Sequence, residues 1–145
     1  MKHSFKRILS SCMVLAALAM GTQSAFASDG YGDTQDKAVP IKIYKPMSHT
    51  ISDSNDVDWY EYDNRSGQGI SVLLESPQNQ NYDFDLIYIS RNGKVHETYN
   101  PNDFGPGGSD VLGLQIGLGD QVYIKVYGHS ASDFDKNNPY KLTIN

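Results

Sequence analysis

Apolar and polar residues alternate through most of this chain beyond residue 40. Ile70-Ser71-Val72, Phe84-Asp85-Leu86, Val122-Tyr123-Ile124-Lys125-Val126 and Tyr140-Lys141-Leu142-Thr143-Ile144 are the clearest runs. A period of two sends successive side chains to opposite faces of a strand. It predicts strands over 41–44, 48–52, 57–63, 69–75, 84–90, 94–99, 111–116, 121–127 and 140–144. Turn chemistry separates them. Arg91-Asn92-Gly93 is the strongest hairpin signal, because Asn-Gly accepts the positive φ of a tight turn. Gly105-Pro106-Gly107-Gly108 and Asp135-Lys136-Asn137-Asn138-Pro139 read as longer loops. No sustained 3.6-residue period appears, so the expected fold is all-β: an antiparallel, jelly-roll-like two-sheet sandwich of about seven to nine strands. No repeat or second domain is evident.

The same period assigns faces. Ile70, Val72 and Leu74 should point inward, with Phe84, Leu86, Tyr88, Val122, Ile124, Val126, Tyr140, Leu142 and Ile144. Asp58, Tyr60 and Tyr62 share one face of their strand, which leaves Trp59 and Glu61 outside. Tyr123, Lys125 and Tyr127 should likewise lie on an outer surface.

The first 27 residues read differently. Lys2, Lys6 and Arg7 precede a mostly apolar stretch over 8–20, and Ala25-Phe26-Ala27 supplies small residues at a cleavage site. Residues 1–27 are therefore expected to be an export signal, 28–40 a polar leader and 41–145 the folded domain. The apolar stretch is too short to span a bilayer, which needs about 20 residues, so membrane insertion is not expected. Leu9-Ser10-Ser11-Cys12 superficially resembles a lipoprotein box, but most of the apolar run follows the cysteine. The lone Cys12 belongs to the signal, so disulfide scaffolds, thiolate metal sites and cysteine catalysis are excluded. Three of the twelve basic residues also lie there. The remainder carries nine basic and seventeen acidic residues, a net charge of −8. That balance argues against nucleic acid and anionic membranes as partners. A secreted, extracellular protein is the expectation.

The order of motifs carries a resemblance. A polar acidic leader is followed by Asp58-Trp59-Tyr60-Glu61-Tyr62, Gly69-Ile70-Ser71-Val72 and Asp83-Phe84-Asp85-Leu86-Ile87-Tyr88 with Asn92-Gly93. Then come Gly119-Asp120-Gln121-Val122-Tyr123-Ile124-Lys125-Val126-Tyr127-Gly128 and Tyr140-Lys141-Leu142-Thr143-Ile144. Together these resemble the bacterial pre-peptidase C-terminal domain family, which includes the collagen-binding domains of clostridial collagenases. The resemblance implies a non-catalytic β-sandwich that binds substrate or assists a protease. Here no catalytic domain precedes it, so a free-standing module is expected.

The resemblance also implies sites. Some members hold calcium, and matching positions here are Asp33 from the leader with Asn55 and Asp58 from the turn before the aromatic strand. Asp56 lies beside them. Other leader positions that carry ligands in those relatives are Ser28, Gly30 and Gly32, with Asp29 as a substitute. Calcium is the one cofactor admitted, and the competing reading is a solvated acidic turn. The pattern is not an EF-hand, because Val57 and Asp58 stand where that loop needs a ligand and a glycine. Collagen-binding relatives use tyrosines on one sheet face, and their positions fall on Tyr99, Tyr127 and His129. Trp59 and Tyr123 join them by alternation. Exposed rings bury area at low entropic cost, which makes a credible contact patch.

Catalytic signatures fail. His96-Glu97-Thr98-Tyr99-Asn100 lacks the second histidine of a zincin helix and lies on a strand. Gly128-His129-Ser130-Ala131-Ser132 lacks the last glycine of a nucleophile elbow. Asp83 and Asp85 share a face, as paired acid–base carboxylates would, but a solvated strand face explains them better. His49, His96 and His129 are too scattered to argue a metal site from spacing. The resulting expectation is a secreted, non-enzymatic module that meets an extracellular polymer or protein through Trp59, Tyr99, Tyr123, Tyr127 and His129. The alternative is a trans-acting accessory, chaperone or inhibitor of a secreted protease.

Overall fold

The structure, a computed structural model, describes residues 30–145. Residues 1–27, expected to be an export signal and including Cys12, lie outside the described residues, as do Ser28 and Asp29. Nine strands follow a short 3-10 turn at Gln35–Lys37: β1 (Val39–Pro40), β2 (Met47–His49), β3 (Val57–Asp63), β4 (Ile70–Glu75), β5 (Tyr82–Ile89), β6 (His96–Tyr99), β7 (Ser109–Leu114), β8 (Gln121–Gly128) and β9 (Tyr140–Ile144). They form two sheets, β1-β3-β8-β5-β6 and β2-β9-β4-β7. All pairings are antiparallel except β1 with β3. The expected all-β sandwich is what the chain forms. Among the described residues, no helix is long and apolar enough to cross a membrane.

The core lies between the sheets, and alternation builds it. Tyr60, Val72, Leu74, Phe84, Leu86, Val122, Ile124, Val126, Tyr140, Leu142 and Ile144 are fully buried, and Tyr62 and Ile70 nearly so. Each Val, Leu, Ile or Phe so buried is worth about 1.5–3 kcal/mol relative to exposure. β8 is the spine of the larger sheet. It pairs with β3 from Val57↔Tyr127 to Asp63↔Gln121, and with β5 from Tyr82↔Gly128 to Ile89↔Gln121.

One predicted strand is absent. The stretch 41–44 turns instead, although Ile41 N–H still donates to Glu61 O at 2.9 Å. Tyr44 takes a φ of 59°, and Lys45 N–H closes on Lys42 O at 3.1 Å. The chain must leave the larger sheet there to supply β2 to the smaller one, and Pro46 keeps Lys45 out of the helical region. The hairpin at Arg91-Asn92-Gly93 forms as expected, with Gly93 at φ 68°.

Candidate functional site

β3, β8 and β5 place one row of side chains on the outer face of the larger sheet. Trp59 stands opposite Lys125, which stands opposite Asp85. Tyr123 lies between Glu61 and Ile87, and Tyr127 between Val57 and Asp83. Trp59, Tyr123 and Tyr127 are half-buried rather than fully exposed, because each lies against its cross-strand neighbours. The Lys125 ammonium sits 6.0 Å from the Trp59 ring centre and 5.0 Å from that of Tyr127. Both are cation–π distances. Tyr127 OH donates to Asp85 Oδ1 at 2.8 Å, and Asn100 Nδ2 donates to the same oxygen at 2.6 Å. Burial and then Asp85 push the Tyr127 hydroxyl well above the ordinary phenol range.

Tyr99 does not join this row. It pairs with Leu86 and so shares that residue's inward face, half-buried against the core, with its hydroxyl donating to Glu97. The expectation that it belongs to the outer patch is corrected by this register.

His129 is exposed just beyond β8 and is held by carboxylates. Its Nδ1 lies 2.9 Å from Asp83 Oδ2 and 3.4 Å from Asp103 Oδ2. Asn81 Nδ2 donates to Asp103 Oδ2 at 3.2 Å, and Gly105 N–H donates to Asp103 Oδ1 at 2.6 Å. The bond to Asp83 raises the His129 imidazole above its ordinary value. Asp83 itself is also raised, because burial outweighs the help of His129. The Gly105 and Asn81 donors hold Asp103 below the carboxylate range. Gly128 makes the close approach possible: a Cβ there would stand 2.2 Å from Asp133 O. Its neighbour, His129 N–H, donates to Asn81 O at 2.9 Å.

Of the residues expected to hold calcium, Asp58 lies on the other side of the same sheet, Asn55 and Asp56 in the turn before β3, and Asp33 in the leader. Asp58 faces inward and is fully buried. Its Oδ2 accepts from Tyr140 OH at 2.5 Å, and Tyr140 in turn meets Tyr60 OH at 2.5 Å. Donation by Tyr140 to Asp58 leaves Tyr60 as donor to Tyr140. Burial lifts both tyrosine hydroxyls far above the ordinary phenol range. His49 Nδ1 lies 3.4 Å from Asp58 Oδ2, and the Tyr31 ring stacks on His49 at 3.8 Å. The leader is docked there, since Trp59 N–H donates to Gly32 O at 2.7 Å. A Cβ at Gly32, where φ is 63°, would meet Trp59 O at 2.8 Å. Asp56 is buried and accepts from Ser52 N–H at 2.6 Å, whereas Asn55 is exposed. Asp33 keeps a buried Oδ1 without a hydrogen bond, which suits a cation ligand. Among the described residues, the group of three acidic or histidine ligand atoms lying within 4.8 Å of one another is Asp83, Asp103 and His129, not the Asp33–Asp58 set.

The sequence matches no family model and no curated protein. Solved structures do match. The pre-peptidase C-terminal domain of collagenase from Bacillus anthracis superposes with a TM-score of 0.56 at 13% identity, covering 74% of this chain and 94% of that one. The fold is that of a pre-peptidase C-terminal domain. The resemblance read from motif order therefore holds at the level of fold. PliG from Aeromonas hydrophila, a periplasmic inhibitor of g-type lysozyme, gives a TM-score of 0.43 at 16% identity, covering 74% of this chain and 93% of that one.

On this pre-peptidase C-terminal fold one broad cleft is lined mainly by apolar surface. It measures about 660 Å³ and runs between Pro40–Lys45 and the end of β3, floored by Ile41 and Tyr62. The titratable groups gather instead around Asp83 and around Asp58. The roles of Asp103 and Asn81 could not be read from spacing, because they lie on a separate loop and just before β5. The β5–β8 register was the missing signal. It sets Asp83 opposite Tyr127, two residues before His129.

Proposed function

We propose that the protein is an extracellular, non-catalytic binding module whose contact surface is the outer face of the larger sheet. The observation that carries this reading is the row Trp59, Lys125, Tyr127 and Asp85, in which rings, an ammonium and a carboxylate share one face beside Tyr123. Rigid rings with a polar rim suit an extracellular polymer or protein. His129 lies at one end of that face, within reach of the same ligand. Tyr127→Ala should weaken retention on an immobilised matrix or cell-wall polymer by at least about tenfold, the loss of roughly 1.4 kcal/mol expected of a central aromatic contact. Its unfolding midpoint should fall only modestly, by the loss of the Lys125 and Asp85 contacts, too little to unfold the protein under the conditions of the assay. Equal retention of variant and parent would remove the face from the account. Retention of a secreted protease in place of a polymer, lost in the same variant, would assign the face to a protein partner.

Calcium is part of the proposal as a structural ion. Asp33, Asp56 and Asp58 would hold it where the leader docks on β3, supported by the buried, unbonded Oδ1 of Asp33. An ion that binds only the native state adds RT ln(1 + [L]/Kd) to stability. Chelation should therefore lower the thermal midpoint, and an unchanged midpoint would reject the ion.

A further inference from the structure

Asp83, Asp103 and His129 offer ligand atoms that lie within 4.8 Å of one another. The two separations from His129 Nδ1, 2.9 and 3.4 Å, bracket the roughly 3.3 Å between neighbouring ligands of a tetrahedral ion bound at about 2.0–2.1 Å. A cavity of about 70 Å³ opens beside them, bounded by Asp83, Phe84, Asn100, Pro101, Asp103 and Tyr127. One water occupies about 30 Å³, so the space suits an ion with a water or ligand oxygen attached.

A third carboxylate beside the cluster points the same way. Asp110 begins the inward-facing row of β7 opposite Leu74 and is only 3% exposed. Its Oδ1 accepts from Phe104 N–H at 3.0 Å, while its Oδ2 is buried with no hydrogen bond. The charges that act on it are those of Asp83, Asp103 and His129. Asp83 Oδ1 is buried and unbonded as well. Asp83 and Asp110 thus each keep a buried, unbonded carboxylate oxygen within electrostatic reach of His129, and buried charge of one sign is costly without a counter-ion. The loop that presents Asp103 is itself fixed. Gly107 N–H donates to Gln80 O at 3.1 Å, and Gly108 O accepts from Ser76 N–H at 3.0 Å.

We propose that Asp83, Asp103 and His129 form a binding site for a first-row divalent cation of the zinc type, with Asp110 supplying uncompensated negative charge behind it. An imidazole donor favours such ions over calcium and magnesium, which take oxygen ligands. Asn81 and Gly105 orient Asp103 as outer-shell donors commonly do. Three protein ligands leave a fourth position for water or for an oxygen of whatever lies along the neighbouring Tyr127. The site does not depend on the binding role of the outer face.

Untagged protein stripped with chelator and dialysed should be titrated calorimetrically with Zn²⁺ alone and, separately, with Ca²⁺ alone. One Zn²⁺ per chain is expected. Asp83→Asn and His129→Ala should each weaken Zn²⁺ binding by at least about a hundredfold, and Asp110→Asn by about tenfold. Asp58→Asn should leave it unchanged, which separates this site from the calcium site proposed above. His129 is exposed, so its substitution tests the site without threatening the fold. Absence of Zn²⁺ binding by the parent, or equal binding by the Asp83 and His129 variants, would overturn the assignment.

Discussion

Asp58 and Asp83 stand near the same end of one sheet and do opposite things. The register sets Asp58 in a row with Val126 and Phe84, and Asp83 in the adjacent row with Tyr127 and Val57. One step along β8 separates interior from surface. Asp58 is taken out of water and receives a buried tyrosine pair. Asp83 keeps a fifth of its side chain exposed and shares an exposed histidine with Asp103. Identical chemistry therefore becomes an enclosed, tyrosine-bonded carboxylate on one face and an open cluster at the surface on the other. The period of two makes that division.

The sharpest way to break the comparison is the same substitution on both faces. Asp58→Ala removes the acceptor of Tyr140 OH, leaving that buried donor unanswered and a cavity beside it, which should cost about 3 kcal/mol in chemical denaturation. Asp83→Ala should cost under about 1 kcal/mol, since a partly exposed ion pair contributes little. Equal losses would erase the distinction. Gly128→Ala comes next. Its Cβ would press on the backbone oxygen of Asp133 at 2.2 Å, so an overpacking cost of about 1–3 kcal/mol is expected. Ordinary stability in that variant would mean that the loop after β8 is not fixed as described.

Smaller effects sharpen the picture of the outer face. Lys125→Gln should cost about 0.5–1 kcal/mol through its two ring contacts, measured as a shift in denaturation midpoint. A neutral result would leave Lys125 available for ligands alone. The smallest effect concerns pH. His129 has a folded pKa above the unfolded value of about 6.5. Its contribution is therefore fully present below that unfolded value and is lost as pH rises through the raised folded one. In chelator-containing buffer, His129→Gln should flatten this slight fall in stability, and an unaltered slope would assign it elsewhere.

Much of this was legible in the residues. Alternation gave the sandwich, the inward Tyr60 and Tyr62 and the outward Trp59, because burial of one face leaves the register little freedom. It failed at 41–44, where four residues with a strand-like pattern serve a crossing between sheets. Tyr99 was misplaced because its face depends on the β5–β6 register, which the hairpin turn alone does not set. The Asp83–Asp103–His129 cluster was invisible for a related reason. His129 and Asp83 could each be singled out, but the loop carrying Asp103 meets them only in three dimensions. Asp58 was recognised as facing inward with the tyrosines, yet nothing in the linear pattern disclosed that Tyr140 would answer it from the end of the chain.

Trp59 is the sole tryptophan of the chain, so its emission reports directly on the proposed contact surface. Quenching by acrylamide should be intermediate in the free protein, as suits a half-buried ring, and should fall when a bound polymer or protein covers it, with no such protection in Tyr127→Ala. An indole shielded from quencher before any ligand is added, or protection that persists in the Tyr127 variant, would contradict the account.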